Sequence, residues 1–408
     1  MLPPMIPIRQ EFAADSVPDV AAAMERALSA LDLARRLRPG MRVGIPAGSR
    51  GIREIPLLLR AMVEHVRRLG AEPLLVTAMG SHGGGEPEGQ LAVLHSLGIT
   101  EEAVGAPLVG NVEAVVVATS VEGEPVYFDK VLAGCDALLV LNRVKPHTSF
   151  RGPLESGLTK MLVVGCGKPE GARQFHSLGA HVLSARLREF GTLLLDRLPV
   201  LGGVAVLENG REEIADLVPM HPSGWIETEE RLLERARTLL PRLPVDRLDL
   251  LVVDEMGKNY SGTGMDTNVI GRMGIPGMPD GKPEVRRLVV LDLSDASHGN
   301  ANGMGLADFV TRRFADKVDF KATYLNTLTA TFVDRAKLPI VMESDREAIE
   351  TALRTIGSPT SPRIIRIRNT LELEHLWVSP SVLADLPGAI VTGEPVPWAF
   401  DSSGNLLR

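Results

Sequence analysis

The sequence predicts an α/β protein of two α/β domains with mostly parallel sheets and an active-site cleft between them. Three observations carry this. Apolar runs of strand length alternate with segments whose apolar residues recur at helical spacing. The early strands run straight into glycine-rich loops that open helices, a unit repeated twice, which places ligands at the carboxyl ends of parallel strands. The alternation breaks at PRLPVDR (241–247) and then resumes, as a linker between domains would have it.

In order, PDVAAAMERALSALDLARRLR (18–38) has helical spacing and stops at Pro39-Gly40. MRVGIP from Met41 is the first strand of the repeat and leads through AGSRGIREIP to a helix over 55–69, ended by Gly70. EPLLVTAM (72–79) repeats the pattern, with the loop GSHGGGEPEGQ and a helix near 90–97. Residues 113–130 alternate as a hairpin turning at Glu122-Gly123. Apolar runs at 136–144 and 161–164 read as buried strands, 203–210 as another, and 225–240 as a charged helix. After the linker, LDLLVVDEM (248–256), RRLVVLDLS, PIVME and RIIRIRN supply strands, with a helix near 322–336.

Length and composition narrow the function. With 408 residues, 44% of them hydrophobic, the chain builds two or three domains with sizeable cores. A net charge of −7 without a basic block, and 4% aromatic residues, argue against a nucleic-acid partner and for a small-molecule ligand. Cys135 and Cys166 lie in or beside apolar runs, which fits reduced thiols in a cytoplasmic protein. The start MLPPMIPIRQEF lacks the basic head and apolar core of a signal peptide, and no apolar run is long enough to span a membrane.

Chemistry concentrates in Asn142–His181, which holds His147, His176, His181, Lys145, Lys160, Lys168 and Glu155 among glycines. His82 in GSHGGG has room for a ligand and an imidazole suited to acid–base work, or is a solvated loop residue. His147 enters its loop behind Pro146, which fixes the ring, or merely orders the loop. Lys160 stands between Gly157 and an apolar run, where desolvation would leave a nucleophilic amine, unless it snorkels from a strand end. His176 falls one turn inside a helix that starts at Gly171 and is a metal-ligand candidate. Gly165, Gly167 and Gly171 follow the apolar run and open a helix in the manner of a phosphate cradle, without matching a Walker loop or dinucleotide fingerprint. Arg50 suits a carboxylate clamp.

Taken together, His82 in GSH, His147 in KPHTSFRG, Lys160 in ESGLTKM and His176 in ARQFH, with Ser49-Arg50 preceding them, resemble the nickel-pincer lactate racemase family in order and spacing. The match covers the first domain well and the second loosely. The resemblance implies a nickel-pincer nucleotide tethered at Lys160, with His176 as the metal ligand and Ser49, Gly165 and Gly167 as further cofactor contacts. It implies His82 and His147 as the acid and base acting on the two faces of a 2-hydroxy acid, and Arg50 and Lys258 as carboxylate contacts. The partners so implied are a small-molecule substrate and cofactor-synthesis enzymes, with a homo-oligomer possible in principle.

The division read from this is 1–243 as the N-terminal cofactor-binding and catalytic domain, joined again by 383–408, and 244–382 as a C-terminal α/β domain closing the cleft. Two departures bear on the substrate: Ala47 stands where the family has an aspartate, and Gly83 where it has an arginine. With the polar residues Asn259, Asp266, Asn268, His298, Asn300 and Asn302 of the second domain, they point to a 2-hydroxy acid larger or more hydroxylated than lactate, such as a sugar acid. A non-catalytic binding protein on the same fold, and an enzyme forming a Schiff base at Lys160, are the competing readings.

Overall fold

The first strand of the chain, β1 (Ile6–Arg9), folds with its last third. It lies antiparallel to both His375–Val378 and Ile390–Val391. The computed structural model describes residues 2–12 and 15–407. Contacts divide the chain into one unit of Ala13–Leu240 and another of Met1–Phe12 with Pro241–Arg408.

The Ala13–Leu240 unit is built on the strands β2 (Arg42–Ala47), β3 (Glu72–Thr77), β4 (Leu108–Val109), β7 (Ala137–Arg143), β8 (Val200–Glu208) and β9 (Ile214–Met220), in the order β4-β3-β2-β7-β8-β9. Only the β8–β9 pair is antiparallel. A separate hairpin of β5 (Ala114–Thr119) and β6 (Pro125–Asp129) stands beside it. Five consecutive residues of β2, β3 and β7 are buried, the signature of a parallel sheet covered on both faces. The helix Ile55–Arg68 shows why these segments pair as they do. Pro56 opens it, Leu58, Leu59, Met62, Val63 and Val66 are buried on one face, and Arg67 and Arg68 sit in the last turn against the dipole. Each of those buried side chains contributes about 1.5–3 kcal/mol.

The other unit carries β10 (Arg247–Val253), β11 (Glu284–Val290), β12 (Phe309–Thr311), β13 (Ile340–Met342), β14 (Ile364–Ile367), β15 (His375–Val378) and β16 (Ile390–Val391), ordered β13-β12-β11-β10-β14-β15-β1-β16. The first five in that order are parallel, and β15, β1 and β16 extend the sheet antiparallel.

Two expectations are corrected here. The tail 383–408 does not return to the first domain: β16 pairs with β1, Met5 N donates to Val396 O at 2.8 Å, Trp398 Nε1 donates to Pro3 O at 3.0 Å, and Leu406 N donates to Asp345 Oδ2 at 2.8 Å. The N-terminal strand is what recruits it. The apolar run Met161–Val164 is not a strand but the body of a π-helical turn, Met161–Gly165, in which Cys166 N donates to Met161 O at 2.8 Å. Four buried apolar residues in a row fit a buried helix as well as a strand, and periodicity alone does not separate them.

Candidate functional site

In the Ala13–Leu240 sheet the chain goes from β2 outward through β3 to β4, then crosses to β7 on the other side of β2. The carboxyl ends of β2 and β7 therefore flank a topological switch point, where backbone loops diverge and leave a crevice. A small cavity of about 10 Å³ opens there, lined among others by Ala47, Arg50, Leu141, Asn142 and Met161. Arg50 follows β2, His82 follows β3 and His147 follows β7.

The β3 loop holds His82 through its backbone. His82 N donates to Met79 O at 3.1 Å, and the buried Gln90 donates from Nε2 to Gly80 O at 2.9 Å and His82 O at 3.3 Å. Gly83 has φ 64°, and a side chain there would run into the backbone of Gly89 and Gln90 at 2.6 Å. The ring of His82 places Nδ1 2.5 Å from Ser49 Oγ. Ser49 thus touches the histidine, a contact sequence reasoning did not foresee.

On the β7 side, His147 is held at three points. Its N–H donates to Glu155 Oε2 at 2.5 Å, its carbonyl accepts from Arg151, and its Nδ1 accepts from Ser149 N at 3.0 Å. The ring packs on Phe150 with centroids 4.3 Å apart. Glu155 is buried and also accepts from Arg237 at 2.7 Å, so it orders the His147 loop.

Lys160 ends the short turn Leu158–Lys160 that precedes the π-helical segment. Its Nζ lies 6.0 Å from the Phe150 ring centroid, which brings it to the same wall as His147. Burial and the like charge of Arg50 draw its amine down to about 7, against the pull of Glu155. Near neutral pH much of it is a free nucleophile. The turn is gripped from behind: Asn142 Nδ2 donates to Gly157 O at 2.8 Å, and Glu229 accepts from Thr159 N at 2.9 Å and Thr159 Oγ1 at 2.8 Å. Trp225 Nε1 in turn donates to Thr159 Oγ1 at 3.1 Å. Gly157 is required because any Cβ would collide with Glu229 Oε1. Sequence reasoning missed Glu229, which lies in a helix with an ordinary charged pattern.

His176 sits in the last turn of the helix Lys168–Ser177, further along than its sequence suggested, because the helix starts at Lys168 and not at Gly171. Its Nδ1 is buried and has no hydrogen-bond partner among the described residues. Burial first, and the nearby charge of Lys160 second, lower it to about 4, so the ring is neutral with one nitrogen lone pair available. A buried imidazole nitrogen left unsatisfied costs stability unless a ligand completes it. Among the described residues no three His, Cys, Asp or Glu side chains converge on a metal ion by themselves. Arg50 reaches solvent, yet the desolvating crevice and the like charge of Arg143 lower its pKa.

Other expected residues are placed differently. Gly165 and Gly167 form no open cradle: a Cβ at the first would press on Ala78 O at 2.7 Å, and one at the second would collide with Val163 O. Both glycines are explained by close packing of the π-helical turn. Lys168, beside them, is buried with φ 62° and pairs with the buried Asp129 at 2.6 Å while donating to Thr77 O, which ties this turn to the end of β3. Lys258 belongs to the other unit, where it donates to Gly262 O and to Asn326 Oδ1 at 2.8 Å. The polar residues of that unit's loops are knitted to one another: Ser294 Oγ donates to Asn259 Oδ1 at 2.6 Å, Thr327 Oγ1 to Asn302 Oδ1 at 2.9 Å, and Asn268 Nδ2 to Asp266 Oδ1 at 2.8 Å. No helix among the described residues is long and apolar enough to cross a membrane.

No family model matches the chain, and no curated protein matches it by sequence. Among solved structures, the lactate racemase apoprotein from Thermoanaerobacterium thermosaccharolyticum is similar over 91% of this chain and 99% of its own, with a TM-score of 0.56 at 11% identity. A protein from Thermotoga maritima is similar over 79% of this chain and 84% of its own, with a TM-score of 0.49 at 14% identity. The chain therefore has a lactate-racemase-like α/β fold.

Proposed function

We propose that the chain is an isomerase, a racemase or epimerase acting at carbon 2 of a 2-hydroxy acid with a nickel-pincer nucleotide attached at Lys160. The observation that carries this reading is the pairing of a buried amine drawn down to about 7 with a neutral histidine whose buried Nδ1 has no partner, the two in electrostatic reach at a sheet switch point. Their chemistry fits the group. A free amine at neutral pH forms the covalent attachment, and one imidazole nitrogen completes a metal whose other donors come with an organic ligand. When bound, that group supplies a hydride acceptor for carbon 2, chemistry that no side chain offers.

The chain's own residues do the rest. Arg50 holds the substrate carboxylate in bidentate fashion. His82 and His147 meet the substrate hydroxyl, with Phe150 and Glu155 keeping His147 in place. Ala47 and the glycine at 83, where no side chain fits, leave out two charged groups that the resemblance leads one to expect, so the substrate is proposed to be larger than lactate.

Intact mass and metal analysis of the chain produced with the cofactor-synthesis enzymes test this. An adduct lost in Lys160→Ala, with about one nickel per chain lost in His176→Ala, is the expected result. An absorbing adduct on Lys160 without metal would replace the reading with Schiff-base chemistry, and neither adduct nor metal would leave a binding protein. Turnover of a panel of 2-hydroxy acids then tests the substrate: lactate outpacing every sugar acid would refute the larger one.

A further inference from the structure

The two histidines expected to share acid–base work are presented by different chemistry at Nδ1. At His147 the partner is a backbone N–H, that of Ser149 at 3.0 Å, which can only donate. At His82 the partner is the hydroxyl of Ser49 at 2.5 Å, which donates or accepts as its proton rotates. A neutral imidazole carries one proton, and the nitrogen that accepts a hydrogen bond is the one without it. His147 therefore carries its proton on Nε2. Protonating its Nδ1 as well would set two N–H groups against each other, in a residue whose backbone is held by Glu155 and Arg151 and whose ring packs on Phe150.

We propose that the two histidines divide the labour: His82 exchanges the proton at Nε2, and His147 is a fixed Nε2–H donor to an oxygen of the substrate. In the base form of His82 the Nδ1 proton is donated to Ser49 Oγ and the Nε2 lone pair faces the substrate. When the substrate hydroxyl passes its proton to Nε2, the O–H bond breaks, the N–H bond forms, and the imidazolium keeps its Nδ1–H donated to Ser49. On return of the proton the same contacts are restored. His147 changes no bond during this; its N–H strengthens its hold as negative charge gathers on the oxygen. Ser49 is thereby a positioning residue that tolerates both protonation states of His82, and the buried Gln90 fixes the loop carbonyls behind it. The roles rest on the isomerase reading, but the tautomers do not.

The test therefore has two arms. Long-range proton–nitrogen NMR of the unliganded chain with nitrogen-15 histidine, assigned with His82→Gln and His147→Gln, reads the tautomers directly at alkaline pH. The expected result is a pure Nε2–H form at His147, and an Nδ1–H fraction at His82 that changes in Ser49→Ala and is restored in Ser49→Thr. An Nδ1–H form at His147, or a His82 tautomer indifferent to Ser49, overturns the proposal. In the loaded enzyme, glutamine keeps a donor near the place of Nε2 but takes up no proton, so His147→Gln loses about tenfold in turnover whereas His82→Gln loses about a hundredfold to ten-thousandfold. Equal losses overturn the division of labour. Loaded enzyme that turns over no 2-hydroxy acid overturns the isomerase reading instead, and the NMR arm then still decides the tautomers.

Discussion

The two units use the same sheet logic and furnish their switch points in opposite ways. In the Pro241–Arg408 part the crossing lies between β10 and β14, and there Arg366 forms a bidentate pair with the buried Asp254, at 2.8 and 2.7 Å, and packs on Trp377. Lys258, just beyond, donates to a carbonyl and an amide of its own unit. In the Ala13–Leu240 unit the crossing between β2 and β7 gathers Arg50, Lys160 and Arg143, of which only Arg143 is neutralised nearby, by Glu208. Among the described residues Arg50 and Lys160 form no ion pair, and His176 adds an unsatisfied nitrogen. One switch point satisfies its charges within the fold, and the other leaves them for the ligand proposed above.

The kinetic effect that bears most on this contrast is at Arg50. Arg50→Ala is expected to raise the KM for a 2-hydroxy acid by about a hundredfold, the loss of one charge-assisted clamp, while Lys258→Ala changes it by less than about fivefold if its role is confined to its own loop. Steady-state kinetics of the two variants decide it, and the reverse order would move the carboxylate site to the other unit. Next comes Asp254→Ala, which strands the Arg366 guanidinium and is expected to cost about 3–5 kcal/mol in denaturant unfolding, with nickel loading and kcat intact once folded. A loss of loading without a loss of stability would show that the second switch point is functional too. Third, Lys160 should react with an acylating reagent as a free amine from about pH 7 upward, well below the range of an ordinary lysine, because its lowered pKa leaves it deprotonated there. Mass mapping of the labelled lysines against pH measures this, and a Lys160 that reacts only with the surface lysines would mean that the crevice does not desolvate it.

Much of this was legible because it is local. The strands β2, β3 and β7 announce themselves as buried apolar runs, and the loops that follow them carry the histidines and Arg50 within a few residues. What was not legible is set by partners far apart in sequence. Glu229 binds Thr159 across 70 residues, Gln90 reaches back to two carbonyls, and the tail is recruited by a strand at the opposite end of the chain. No spacing rule encodes such contacts. The glycines at 165 and 167 mislead for a related reason: close approach of backbone to backbone and close approach of backbone to phosphate call for the same residue.

Glu229, a buried carboxyl behind the turn that ends at Lys160, offers the finest test. Burial pushes its carboxyl up to about 7, with the hydrogen bonds from Thr159 and Trp225 pulling the other way. The folded form thus holds its proton at pH values where the unfolded chain has released it. A raised pKa of this kind contributes stability that is fully present below the unfolded value of 4.5 and is lost as pH rises through about 7. Glu229→Gln keeps an oxygen acceptor for Thr159 and removes the ionisation. Relative to the wild type, the variant should therefore gain on going from about pH 5 to about pH 8, by on the order of 1–3 kcal/mol in paired denaturation curves. A difference between the two proteins that stays constant across that window would mean that Glu229 ionises normally, and that water or a cation reaches the turn beneath Lys160.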